Sequence, residues 1–168
     1  YKRQAFQNGP VHYPYPVIRM AEMYLNLAEI LIELDALENT TGRLEEAKGL
    51  IDKIRVRAGI PTIDEAWKKA NHPEKANTAE GLREIVRRER QIEFYLENQR
   101  FWDLRRWKDA GILGEKVWGM NIEGDTDETF FVPTELQNIR TFKQAQYLMP
   151  IPMTETNKVP HIVQNPGY

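Results

Sequence analysis

The sequence contains no cysteine and no serine. These two gaps exclude any disulfide, any thiolate metal site and any Ser or Cys nucleophile within the 168 residues. They leave the compartment open, because a chain without thiols persists in any redox environment. Histidine is scarce too: His12, His72 and His161 stand far apart, none with a second histidine or a carboxylate at helical metal-ligand spacing. All three read as loop residues, and no metal or cofactor is expected. Charge of one sign is also lacking, since the net charge is −2 and the arginines of 83–90 alternate with Glu84 and Glu89. Neither a nucleic-acid footprint nor a basic membrane-surface patch is therefore expected. No apolar run approaches the roughly 20 residues that a bilayer span needs. The chain opens at Tyr1, without a methionine or a basic and apolar leader, and reads as a piece of something longer.

What is abundant is charge mixed with aromatic surface, and residues 79–110 hold the densest concentration of both. Leu82, Ile85, Glu89, Ile92 and Leu96 recur at helical spacing, which turns Glu89 inward and puts Glu93 on the edge of the same stripe. Carboxylates so placed must find cations or take up protons. Arg100, Arg105 and Arg106 are the expected partners, across a break near Asn98 that starts a second, shorter helix ending at Gly111. Such a set could be a catalytic acid and base; the favoured reading is a structural ionic clasp whose loss lowers stability and leaves ligand affinity unchanged.

The remaining chain frames that pair. Residues 1–16 are extended or looping, with Tyr13 and Tyr15 expected to pack on the next helix. From Val17 to about Leu37, Val17, Ile18, Ala21, Tyr24, Leu25, Ala28, Leu31 and Ile32 form a wide apolar stripe with Glu22, Asn26, Glu29 and Glu33 opposite. Met20, Leu27 and Leu34 widen the stripe, which predicts a helix packed on two sides. A second helix runs from about Arg43 to Ala58 with Leu44, Ala47, Ile51 and Ile54 on one seam, and stops at Gly59 and Pro61. Gly49 in its interior suggests that another backbone comes close there. The resulting antiparallel hairpin, residues 16–61, is similar to a tetratricopeptide repeat with a longer loop and no aromatic signature. A single such repeat cannot cover its own apolar face, so further helices are expected outside these residues. In the polar loop between Ile60 and Thr78, Trp67 is the one candidate for stacking on a sugar, against the commoner use of a loop tryptophan as an anchor. After Gly111 the glycines and prolines punctuate short apolar runs such as FFV and YLMPI, which predicts an irregular wrap over 111–168 with one or two short strands. The acidic cluster of 123–128 lacks the glycine and distal glutamate of a calcium loop and reads as a solvated turn. The expected fold is mainly α in a single domain, 1–168: helical hairpin, charged helix pair, irregular end.

Three stretches together resemble the C-terminal part of the SusD/RagB family of outer-membrane lipoproteins. They are Pro16-Val17-Ile18-Arg19-Met20-Ala21-Glu22-Met23-Tyr24-Leu25; the run from Arg87-Arg88-Glu89-Arg90 to Arg100-Phe101-Trp102-Asp103-Leu104-Arg105-Arg106-Trp107; and the ending Leu148-Met149-Pro150-Ile151-Pro152 with Gln164-Asn165-Pro166-Gly167-Tyr168. The resemblance implies a non-enzymatic surface protein that captures glycans or other oligomers for a SusC-like TonB-dependent transporter. It implies a membrane link only through a lipid anchor upstream of these residues. It carries no ligand-binding residue onto this chain, because the family's groove is built largely by upstream portions. Two rival readings come from other classes. One is a glycoside hydrolase whose acid and base lie among Glu89, Glu93 and Asp103, since glycosidases pair carboxylates about 5 to 10 Å apart. The other is a helical-repeat adaptor for peptides, against which stands the acidic face expected of Glu22, Glu29 and Glu33.

Overall fold

The computed structural model describes residues 16–136, 140–159 and 161–168. Tyr13, Tyr15 and His12 lie outside the described residues. The chain is mainly helical, with one two-stranded sheet among the described residues. Read from the sequence as one domain, it separates into two compact units that divide between Phe94 and Tyr95.

The first unit holds α1 (Met20–Glu38), α2 (Leu44–Ala58), α3 (Ile63–Trp67) and α4 (Ala79–Glu93). Arg19 is extended, so α1 starts at Met20, slightly later than its apolar pattern suggests. It ends where Asn39 takes the left-handed conformation, and α2 ends the same way at Gly59. The loop between them is knit from below by Asp35, whose side chain is fully buried. Its carboxylate accepts hydrogen bonds from the Thr40 hydroxyl (2.7 Å), the Arg43 backbone N–H (2.7 Å) and the Arg43 guanidinium (2.9 Å). Burial by itself would raise the carboxyl pKa; these donors outweigh it and hold the group below its ordinary value. Leu25, Ala28 and Ile32 of α1, Ala47, Ile51 and Ile54 of α2, and Leu82, Ile85 and Val86 of α4 meet in one core with Ile63 and Phe94. A 3-10 turn, Pro73–Asn77, runs against the start of α4. A Cβ at Gly81 would sit 2.2 Å from the Lys75 carbonyl oxygen, so the approach requires glycine.

Several expectations for this unit need correction. In α4, Leu82, Ile85 and Glu89 are buried, but Ile92 and Leu96 are exposed, and Val86, Arg90 and Phe94 take their places. The helix packs against both α1 and α2, so its buried face is centred between the two columns of side chains. Leu96 lies past the end of the helix at positive φ, where helical phase no longer applies. Gly49 has no atom within 4 Å of where a Cβ would stand, so among the described residues no backbone approaches it. In α1 the polar side chains do not form the outer face. Glu29 is buried, Asn26 and Glu33 bond to α4, and the exposed positions between Met20 and Leu37 are Met20, Met23, Leu27, Ile30, Leu34 and Leu37.

The second unit contains a break at Asn98, which is left-handed at φ 63 as its position suggests. α5 (Gln99–Arg106) ends short of the expected Gly111; Lys108 turns to positive φ and a 3-10 turn, Ala110–Gly114, follows. β1 (Val117–Met120) pairs antiparallel with β2 (Pro133–Leu136), with Trp118 opposite Glu135 and Met120 opposite Pro133. In the FFV run Phe130 ends α6 (Asp127–Phe130), and Phe131 and Val132 lead into β2 rather than forming a strand themselves. α7 (Met153–Lys158) is a short helix near the end.

Candidate functional site

Of the residues singled out in the sequence, the acidic pair of α4 is held most elaborately. Glu89 pairs with Arg55 of α2, both side chains being about nine-tenths buried. Glu93 pairs with Arg19, just before α1, and with Arg57 at the end of α2. The expected cations Arg100, Arg105 and Arg106 are thus not the partners of Glu89 and Glu93. The acids turn toward the helices against which α4 packs, and those helices supply the guanidinium groups.

The same layer continues along α4. Arg90, buried, donates to the Asn26 side-chain oxygen at 2.6 Å and stands 4.0 Å from the Glu29 carboxylate. Arg83 reaches Glu33 through two hydrogen bonds of 2.6 and 2.7 Å, and this fork raises the Arg83 pKa. The guanidinium carbons of Arg19 and Arg90 lie 4.9 and 5.3 Å from the centre of the buried Phe94 ring. Charged groups of α4 are therefore paired onto α1 and α2 along most of its length. At the other side of α2, Lys48 is buried and pairs with Glu45 and Asp64, which raise its pKa against the opposing effect of burial. Asp52 accepts from the Ile63 backbone N–H at 2.8 Å, and desolvation raises its pKa.

In the second unit the three arginines have other uses. Arg105 is buried, donates to the Tyr147 carbonyl at 2.7 Å, and stacks near Phe101 and Trp102. Arg106 donates to the buried Asp103 at 3.0 Å and lies 4.9 Å from the Trp107 ring centre, with Arg100 5.9 Å from the same ring. Asp103, the third carboxylate of the hydrolase reading, is thus tied to Arg106. The Tyr147 hydroxyl donates to the Lys108 carbonyl at 2.6 Å and accepts from the Ala110 N–H at 3.1 Å. Tyr147 was not singled out in the sequence, and no local pattern marks it, because its partners lie about forty residues away.

Trp67 ends α3, a helix opened by a capping box between Thr62 and Glu65, and packs partly buried against the apolar core. The 123–128 segment forms a turn into α6 opened by Thr126, and no cluster of three or more potential metal ligands occurs among the described residues. His72 is exposed beside Glu74, and His161 is exposed.

Chemically, this arrangement is a set of satisfied ion pairs. A general acid must hold a proton and deliver it to a bound substrate; Glu89, Glu93 and Asp103 each face a guanidinium instead. Glu89 and Glu93 pair with residues outside α4, whereas Asp103 and Arg106 share α5.

Comparison with known proteins gives a consistent result. The model of the SusD family matches residues 4–168. SusD-like protein P2 of Formosa agariphila is 30% identical over 161 residues, covering 92% of this chain and 26% of the relative. Among solved structures, a SusD-like protein from Bacteroides fragilis, BF3747, is 36% identical with a TM-score of 0.67 over 93% of this chain and 28% of that one. The structure described as selenomethionine BT4246 is 33% identical with a TM-score of 0.72 over 90% of this chain and 24% of that one. The chain spans about a quarter of the length of these relatives.

Proposed function

This chain belongs to the SusD family, and on that premise we propose that it is the C-terminal support of a longer, non-enzymatic binding protein at the outer-membrane surface. That protein captures oligosaccharides or other oligomers and passes them to a SusC-like TonB-dependent transporter. The observation that carries the non-enzymatic part is the pairing of every candidate acid with arginine: Glu89 with Arg55, Glu93 with Arg19 and Arg57, Asp103 with Arg106. Side chains committed to guanidinium groups are suited to holding helices, and poorly suited to exchanging protons with a substrate. Family membership supports the ligand class and the surface location. No described helix is long and apolar enough to cross a membrane, which is compatible with attachment through a lipid on an upstream residue.

The test uses the complete protein. Affinity electrophoresis in polysaccharide gels, with parallel assays for newly released reducing ends, is expected to give retardation without cleavage. Purification from gently solubilised outer membranes is expected to bring down a large barrel protein. Glu89→Gln is expected to lower the melting temperature and leave retardation unchanged. Release of reducing ends that disappears in Glu89→Gln at retained folding would replace the carrier with a hydrolase.

A further inference from the structure

Three of the four tryptophans have neighbours that account for them. Trp67 packs against the core, Trp107 has two guanidinium groups at its ring, and Trp102 meets the Phe101 ring edge-on at 5.1 Å with Arg105 beside it. Trp118, on β1, is the most exposed of the four at 60%, and among the described residues neither a ring nor a cation stacks on it.

The pleat of the hairpin explains this exposure. Val117, Gly119, Thr134 and Leu136 share one face, and Trp118, Met120, Pro133 and Glu135 share the other. The first face is covered from within: a Cβ on Gly119 would stand 2.9 Å from Leu136 Cδ1, so the leucine lies against the glycine. Val117 and Gly119 are half-buried, whereas Trp118 and Met120 are exposed. The second face carries more than hydrocarbon. Glu135 is directly opposite Trp118, and its carboxylate accepts from the Lys116 ammonium at 2.7 Å. An uncovered indole thus has a donor and an acceptor beside it, with no net charge between them.

That combination narrows the ligand. An apolar protein surface laid on Trp118 would strip water from the Lys116–Glu135 pair and supply nothing in return, which is unfavourable. An anionic ligand would meet the loop between the strands, which carries Glu123, Asp125, Asp127 and Glu128 and no lysine or arginine. A neutral pyranose ring suits both halves. One face offers C–H groups to the indole, and the hydroxyls at its rim can donate to the carboxylate and accept from the ammonium.

We propose that Trp118, Glu135 and Lys116 form a platform for one neutral pyranose unit of an oligosaccharide. The platform rests on the reading of the protein as an oligosaccharide binder and goes beyond the support role given to this chain: it makes the hairpin a point of contact with ligand.

Fluorine NMR of the complete protein, labelled with fluorotryptophan, tests this directly. Trp118→Phe identifies the Trp118 resonance by its loss. Maltohexaose, laminarihexaose, cellohexaose, mannohexaose and xylohexaose are titrated to millimolar concentration, with hexagalacturonate as the anionic counterpart. At least one neutral hexaose is expected to move the Trp118 resonance saturably, and hexagalacturonate to leave it in place. Glu135→Ala is expected to weaken that titration about 10-fold, and Trp118→Ala to abolish binding at the hairpin, read by chemical-shift changes at the Gly119 amide. Should either variant fail to fold, the titration of the unaltered protein still decides. A Trp118 resonance unmoved by every neutral hexaose would overturn the platform. So would a resonance without any solvent isotope shift, which would show the ring covered in the complete protein, or one that moves only when the transporter is added. Polysaccharide retardation is measured on the same samples. Retardation with an unmoved Trp118 resonance counts against the platform alone, and a moved resonance without retardation supports the platform and counts against capture of polymers alone.

Discussion

In residues 16–94 the apolar side chains of the helices meet in one core, and charged side chains pair across the helix contacts. In residues 95–168, Leu104 and Ala110 are the only buried apolar residues among those described. There the work passes to side chains that bond to backbone: Tyr147 to Lys108 and Ala110, Arg105 to the Tyr147 carbonyl, Gln164 to both the N–H and the carbonyl of Ile151, and Asn165 to the Met149 carbonyl. A chain segment with little hydrocarbon to bury can still be ordered, provided that its irregular backbone finds donors and acceptors. The first unit draws on periodicity; the second draws on individually placed polar groups.

The largest test of that contrast is Glu89→Ala. It leaves the buried Arg55 without its carboxylate, the Pro61 carbonyl being its remaining acceptor, and is expected to cost about 3 to 5 kcal/mol in chemical denaturation, with hydrogen exchange accelerated throughout α2 and α4. A loss well under 1 kcal/mol would show that the ion-pair layer is decoration. Tyr147→Phe is next. Two hydrogen bonds to backbone are lost, at about 1 kcal/mol each, and the expected mark is faster exchange at Ala110 with α1 and α2 unaffected. Gly49→Ala works in the opposite direction: the site is open, so alanine is expected to stabilise α2 by up to about 1 kcal/mol. A loss there would reveal a close neighbour at Gly49 in the complete protein. The smallest effect concerns acid. Asp35, held below the ordinary carboxyl value of 3.8, contributes stability that is present above that value and lost as pH falls through its lowered one. Asp52, raised by desolvation, has the opposite sign: its contribution is fully present below 3.8 and declines as pH rises through its raised value. Asp52→Asn keeps an oxygen for the Ile63 N–H and is expected to remove that decline, read from denaturation curves across the acid range.

Much of the first unit was legible in the sequence. The buried seams of α1 and α2, the stop at Gly59 and the break at Asn98 all follow from local rules, and each is present. The partners of Glu89 and Glu93 were not legible. Arg55 lies 34 residues from Glu89, and Arg57 and Arg19 lie 36 and 74 residues from Glu93. A reading along the chain reaches the next helix first and proposes Arg100, Arg105 and Arg106. The orientation of α1 was misjudged for a related reason. With apolar residues on several sides, the polar stripe looks like the solvent face, and only the position of Arg83 and Arg90 reveals that it faces a neighbour. The second unit was legible only as irregular, because contacts such as Tyr147 with Lys108 leave no periodic trace.

The meeting of Gly81 with the Lys75 carbonyl has a practical consequence for anyone varying this sequence. A hydrogen atom is the largest substituent the gap admits, so the distance between the 3-10 turn and α4 is set as if by a feeler gauge. Libraries built on this scaffold should leave that codon fixed, together with those of Gly124 and Gly167, where a Cβ would meet the Phe130 backbone nitrogen at 2.5 Å and the Ala145 Cβ at 2.7 Å.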